Sequence, residues 1–180
     1  VEDDPHLLVD KVLERDLSSV QKIRFDPTNT CNLACVFCTS DLQMRPAQIA
    51  PERFREILEK IAPTCRRISV GCGYEPLMVK NIEEYFAVIA EIVETEFLSE
   101  PTVNMVSNGV LLNRRNFQLV APFLSWLHIS IHSHRKDNFE LIEKKAKYEQ
   151  FVAGVKATRE KFPDLNIHID YKSNTYILFY

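Results

Sequence analysis

Apolar residues concentrate in five short stretches that predict strands: Lys22–Phe25 (KIRF), Arg67–Val70 (RISV), Val103–Val106 (VNMV), Trp126–Ile131 (WLHISI) and Leu165–Ile169 (LNIHI). Between them the apolar period lengthens to that of a helix. Phe54, Ile57, Leu58 and Ile61 share one face, as do Ile82, Tyr85, Phe86, Ile89, Ile92 and Val93. A short third helix is expected around Asn113–Val120, with Asn113 as its cap and Pro122 near its stop. A fourth spans about Phe139 to Lys161. Its apolar phase changes between Ala146 and Tyr148, so a kink or break is expected there. Residues 1–20 open with Glu2, Asp3 and Asp4, then carry Leu7, Leu8, Val12 and Leu13, and read as a helical lead-in.

Strand and helix in alternation imply an α/β protein with a parallel sheet. A doubly wound sheet and a partial barrel both satisfy the pattern. Either way, ligands belong at the C-terminal ends of the strands, which directs attention to the segments after Phe25, Val70, Val106 and Ile131.

Composition narrows the classes. The 180 residues are 46% apolar and 26% charged, with net charge -3, which fits one globular domain (21–180) behind the lead-in and argues against disorder. No basic block suggests a nucleic-acid partner. No apolar run approaches the roughly 18 residues that suggest a membrane span. The chain opens at Val1 without a secretory signal, and its five cysteines are an odd number, so a cytoplasmic protein is expected rather than a disulfide scaffold.

Three of those cysteines fall directly after the first strand, in DPTNTCNLACVFC. Cys31, Cys35 and Cys38 have the spacing C-x3-C-x2-C. Thiolates are soft ligands for iron–sulfur clusters and zinc. A cubane site ordinarily uses four cysteines, so a loop supplying three leaves one iron open to a further ligand. From spacing alone, zinc with an outside ligand and inert packing remain alternatives. Cys65 and Cys72 lie elsewhere and are too few for a second cluster.

CNLACVFC resembles the cluster signature of the radical S-adenosylmethionine (radical SAM) enzymes, with the aromatic Phe37 before the last cysteine. Three further landmarks follow in order. Gly71-Cys72-Gly73-Tyr74-Glu75-Pro76 resembles the family's glycine-rich segment ending in Glu-Pro, and departs from it at Cys72 and Tyr74. Ser107-Asn108-Gly109 resembles its Thr-Asn-Gly turn, and Ser130-Ile131-His132-Ser133 a Ser-apolar-Asp-Gly element with His132 in place of the acid.

The resemblance implies a partial (β/α)6 TIM-like barrel with about five of its strands present, and a C-terminal part absent from these residues. It implies a 4Fe-4S cluster on Cys31, Cys35 and Cys38, with S-adenosylmethionine on the open iron. Reductive cleavage of the cofactor would give a 5′-deoxyadenosyl radical for hydrogen abstraction, and a reductant such as flavodoxin or ferredoxin would supply the electron.

The resemblance also implies roles for individual residues. Phe37 lies beside the adenine, and Glu75 accepts hydrogen bonds from the α-ammonium. Gly71 and Gly73 admit the methionine moiety, and Ser107 or Asn108 touches the cofactor. Ser130 binds its carboxylate or ribose. His132 is a cofactor-site candidate whose role stays open between ligand contact, a bond to a neighbouring loop and structure. By strand parity Ser130 and His132 point away from Ile129 and Ile131. His128, His168 and Asp170 share that parity as weaker pocket candidates; His134 and the core or strand-edge Cys65 are weaker still. Three functions follow: a radical enzyme acting on a peptide or protein, one acting on a small metabolite, and a non-catalytic iron–sulfur or zinc redox module.

Overall fold

The computed structural model describes residues 10, 13–17, 20–40, 44–95 and 101–171. The lead-in therefore falls largely outside the described residues, Leu7, Leu8 and Val12 included, as does the segment after Tyr171.

Five strands form one sheet in sequential order: β1 (Lys22–Phe25), β2 (Arg67–Val70), β3 (Thr102–Ser107), β4 (Trp126–Ile131) and β5 (Asn166–Tyr171). Every neighbouring pair is parallel. Helices α1 (Pro51–Ile61), α2 (Ile82–Thr95), α3 (Arg115–Val120), α4 (Lys136–Ile142) and α5 (Tyr148–Lys161) provide the crossovers. The sheet does not close, since β1 and β5 are its edges.

Period-two alternation divides the sheet into two faces. Phe25, Ile68, Val70, Met105, Leu127 and Ile129 are buried under the helices. Phe25 stacks on Phe54 of α1 at 4.1 Å between ring centroids, and Tyr85 of α2 closes the cluster at 5.8 Å from Phe25. Burial of each such side chain contributes roughly 1.5–3 kcal/mol, which fixes the helices to one side. Lys22, Arg24, Ser69, Asn104, His128 and Ser130 occupy the other face and line a cavity that opens to solvent at Lys22 and Arg24.

The expected break in the fourth helical segment is present, and other local details depart from expectation. The fourth helical segment is two helices, and Lys145 between them takes φ 74°. That left-handed turn accounts for the change of apolar phase. Asn113 is not the cap of α3: Arg114 occupies that position and makes no side-chain cap bond. The helix starts where Phe117 and Val120 reach the core, so packing overrides the capping preference. The last strand begins one residue late and runs on to Tyr171, because each residue of Asn166–Tyr171 pairs with one of β4.

Candidate active site

The cluster loop leaves β1 at Asp26 and is held from both sides. On one side Asn29 donates its backbone N–H to the Ala47 carbonyl, while its side-chain oxygen accepts from the Ala47 N–H at 2.7 Å. On the other side Ala34 N–H donates to Lys144 O at 3.1 Å and Val36 N–H to Ile142 O at 3.0 Å. Leu33, only 2% exposed, anchors the middle of the loop in the core. The cysteines therefore sit on backbone whose hydrogen bonds are already committed.

Ten of the eleven residues singled out in the sequence line one cavity of about 390 Å3 at the C-terminal mouth of the sheet. They are Cys31, Cys35, Phe37, Cys38, Gly73, Glu75, Ser107, Asn108, Ser130 and His132. Gly71 lies in the adjoining cavity. Its φ is 83°, and a Cβ there would stand 2.5 Å from the Val106 carbonyl oxygen, so only glycine fits.

Glu75 is the hub. It is 1% exposed, and three protein donors reach its carboxylate. Leu77 N–H donates to Oε1 at 3.2 Å, Asn108 N–H to Oε2 at 2.9 Å, and the Ser107 hydroxyl to both oxygens at 3.0 and 3.2 Å. Each oxygen thus has two protein contacts, the Ser107 hydroxyl being shared between them, and the residue also lines the cysteine cavity. Burial pushes the Glu75 carboxyl up to about 7, against the lowering pull of those hydrogen bonds. Asn108 extends the network, donating from Nδ2 to Asn32 Oδ1 at 2.8 Å and lying 3.9 Å from Cys31 Sγ. The turn after β3 is thereby tied to the cysteine loop.

Burial also raises the Cys31 thiol and pushes Cys35 up to about 12, with nearby Glu75 and Glu143 adding to the two shifts respectively. Thiols in this setting ionise when a metal supplies positive charge. Among the described residues no three His, Cys, Asp or Glu side chains converge closely enough to share one ion. A zinc ion needs its sulfurs about 2.3 Å from one centre, whereas a cube gives each thiolate its own iron. Three soft thiols lining one cavity are a donor set that suits an iron–sulfur cluster.

Two acids missed in the sequence complete the site. Asp26 accepts the backbone N–H groups of Cys72 (2.8 Å), Gly73 (3.2 Å) and Tyr74 (3.4 Å), fixing the glycine-rich segment over the end of β1. Its place directly after a strand was the available signal. Glu143, 1% exposed, accepts the His132 backbone N–H at 3.1 Å, and its Oε1 lies 2.9 Å from His132 Nδ1. Its Oε2 is buried without a partner and belongs to the same cavity. No sequence signal announced this residue, which follows the end of α4.

His132 thus bonds a neighbouring loop, and its ring packs on Phe37 at 4.1 Å. His128 and His168 lie 5.1 Å apart on the inner face, with Asp170 Oδ2 3.4 Å from His128 Nδ1. His134 contributes a carbonyl to the Tyr148 hydroxyl, and Cys65 is a core residue.

Fold and site together define an α/β protein with three cysteines lining one cavity at the C-terminal mouth of an open parallel sheet. The sequence matches the Radical SAM superfamily over residues 25–178, and the chain belongs to that superfamily. It is 28% identical over 152 residues to GTP 3′,8-cyclase of Petrotoga mobilis, a match covering 79% of this chain and 44% of that protein. It is also 28% identical over 142 residues to GTP 3′,8-cyclase 2 of Pseudomonas aeruginosa, covering 77% and 41% respectively. The chain therefore spans about two fifths of the length of these relatives.

Streptococcus suis SuiB bound to precursor peptide SuiA superposes with a TM-score of 0.70 at 15% identity, covering 96% of this chain and 38% of that one. His6-tagged anSMEcpe with bound AdoMet gives 0.67 at 16% identity, covering 83% of this chain and 41% of that one. At these identities the likeness is one of fold. Among the described residues no helix is long and apolar enough to cross a membrane.

Proposed function

We propose that this chain is the cofactor-cleaving part of a radical SAM enzyme acting on a small metabolite. The observation that carries the reading is the convergence of three thiols and the Glu75–Ser107–Asn108 network on one cavity. Cys31, Cys35 and Cys38 hold a 4Fe-4S cluster and leave its fourth iron to S-adenosylmethionine. When bound and reduced by a flavodoxin or ferredoxin, that cluster supplies the electron that divides the cofactor into methionine and a 5′-deoxyadenosyl radical.

The protein's own residues bind and place. Glu75 accepts from the α-ammonium, in exchange for part of the shared Ser107 bond, and Ser107 and Asn108 hold that carboxylate in position. Gly71 and Gly73 keep the floor of the methionine site free of side chains. Phe37, backed by His132, flanks the adenine, and Ser130 meets the ribose or carboxylate. The partnerless Glu143 Oε2 accepts from a cofactor hydroxyl.

The sequence relatives are named for a nucleotide substrate, which favours a small metabolite over a peptide. Anaerobic reconstitution is the test. The protein should take up about four irons with a Mössbauer spectrum of one cube, and dithionite should release 5′-deoxyadenosine from S-adenosylmethionine. Alanine at any one of the three cysteines should abolish both. A wild-type protein that keeps its cluster but neither binds nor cleaves the cofactor would leave only the redox module.

A further inference from the structure

We infer that the outer surface of the cysteine loop, where Val36 and Leu141 are flanked by Lys144 and Lys145, is the docking face for an acidic electron-transfer protein. The inference rests on the radical-enzyme reading, because a cluster in that loop is what such a partner would reduce.

This surface and the cysteine cavity are two sides of the same backbone. Ala34 N–H donates to Lys144 O and Val36 N–H to Ile142 O, which lays residues 142–144 alongside residues 34–36. Cys35 and Glu143, in the middle of the two segments, line the cavity. Their neighbours face water: Val36 is 57% exposed, Leu141 is 52% exposed, and Lys144 and Lys145 are exposed as well. A partner seated here is separated from the cluster ligands by the thickness of one loop, and electron transfer falls off steeply with distance. It also leaves the cavity to the cofactor and substrate.

The chemistry of the surface selects the partner. Exposed apolar side chains beside a charged rim are the anatomy of a protein–protein interface. Among the described residues Lys144 and Lys145 form no ion pair, and Lys147 adds a third charge with Glu140 no nearer than 4.0 Å. The whole chain carries -3, so this rim has the opposite sign to the molecule and steers an anionic partner to this one face. Lys145 supplies a separate observation. Among the described residues it alone, glycines aside, has a positive φ, 74°. Glycine would serve that left-handed turn at lower cost, and what lysine adds there is charge. The step itself is a transfer of one electron from the reduced partner to the oxidised cluster, with no bond made or broken in this chain.

An acidic flavodoxin is the probe, in two measurements on the anaerobically reconstituted protein. Calorimetry with the oxidised form reads docking. Stopped-flow absorbance of the semiquinone, formed as the hydroquinone gives up one electron, reads transfer. Both should weaken as salt is raised. Lys144→Glu combined with Lys145→Glu should lower each about tenfold or more at low salt. Lys145→Gly suits the turn, and should lower both by a smaller factor while raising the urea midpoint. Lys156→Glu, exposed farther down α5, should leave both near wild type. Dithionite, which needs no docking face, should reduce the cluster to the same extent in every variant. Docking indifferent to salt or to Lys144 and Lys145, an equal loss in Lys156→Glu, or equal affinity for poly-glutamate would overturn the inference. So would self-association of the protein that the double variant abolishes, since the face would then belong to a second copy. Release of 5′-deoxyadenosine with dithionite separates the two readings. Release alongside flavodoxin transfer that ignores both lysines removes the docking face alone. Lysine-dependent docking without release keeps the face and removes the radical enzyme.

Discussion

The buried carboxylate at Glu75 makes stability depend on pH in a direction opposite to that of most acids. A carboxyl held near 7 in the folded chain and near 4.5 when unfolded binds a proton more tightly in the native state. Its contribution is therefore fully present below about pH 4.5 and is lost as pH rises through 7. Integrated from pH 5 to pH 8, the loss is about 2–3 kcal/mol, since each pKa unit is worth about 1.4 kcal/mol.

Glu75→Gln isolates that loss. The amide retains the shape but does not titrate, and its N–H2 faces the Asn108 N–H, donor against donor, at a constant cost of roughly 1–3 kcal/mol. Urea unfolding of the cluster-free, reduced protein should show wild type ahead of the variant at pH 5. The gap should narrow by about 2–3 kcal/mol at pH 8. Taking the difference between the two proteins cancels every other titrating group. A gap that stays constant would refute a raised Glu75. A gap that widens would mean that the bonds from Leu77, Ser107 and Asn108 outweigh burial and hold the carboxylate ionised.

Two further outcomes follow from the turns around the cavity. Gly109 has φ 78°, and a Cβ there would stand 2.7 Å from Phe151 Cε2 and 2.9 Å from Ile129 Cγ2. Gly109→Ala should therefore cost roughly 2–4 kcal/mol by chemical denaturation, from left-handed strain and overpacking combined; a loss under 1 kcal/mol would contradict this packing. Asp26→Asn removes the charge that gathers three backbone N–H groups and should cost about 1.5–3 kcal/mol. Amide exchange at residues 72–74 should rise while that of β3 is unchanged, and unaltered protection at 72–74 would show that Asp26 does not hold the segment.

Much of this architecture was legible without coordinates because it depends on periodicity. Alternation at two residues put Ile129 and Ile131 on one face of β4 and Ser130 on the other, and the helical period of Phe54, Ile57, Leu58 and Ile61 marked the buried side of α1. The cysteine triplet was equally local, since its spacing survives any arrangement of the remainder. The break near Ala146 showed as a phase change, although the left-handed turn at Lys145 did not. What tertiary structure alone decided is which partners meet. Asp26 reaches residues 72–74 because β1 and β2 lie side by side in parallel. Glu143 reaches His132 because α4 carries the chain back over the end of β4. Lys22 stands beside Arg67 only because the register of β1 on β2 pairs them. A side chain's direction along a strand follows from the local backbone, but its electrostatic surroundings come from segments tens of residues away, and only the packed crossovers bring those segments within hydrogen-bonding distance.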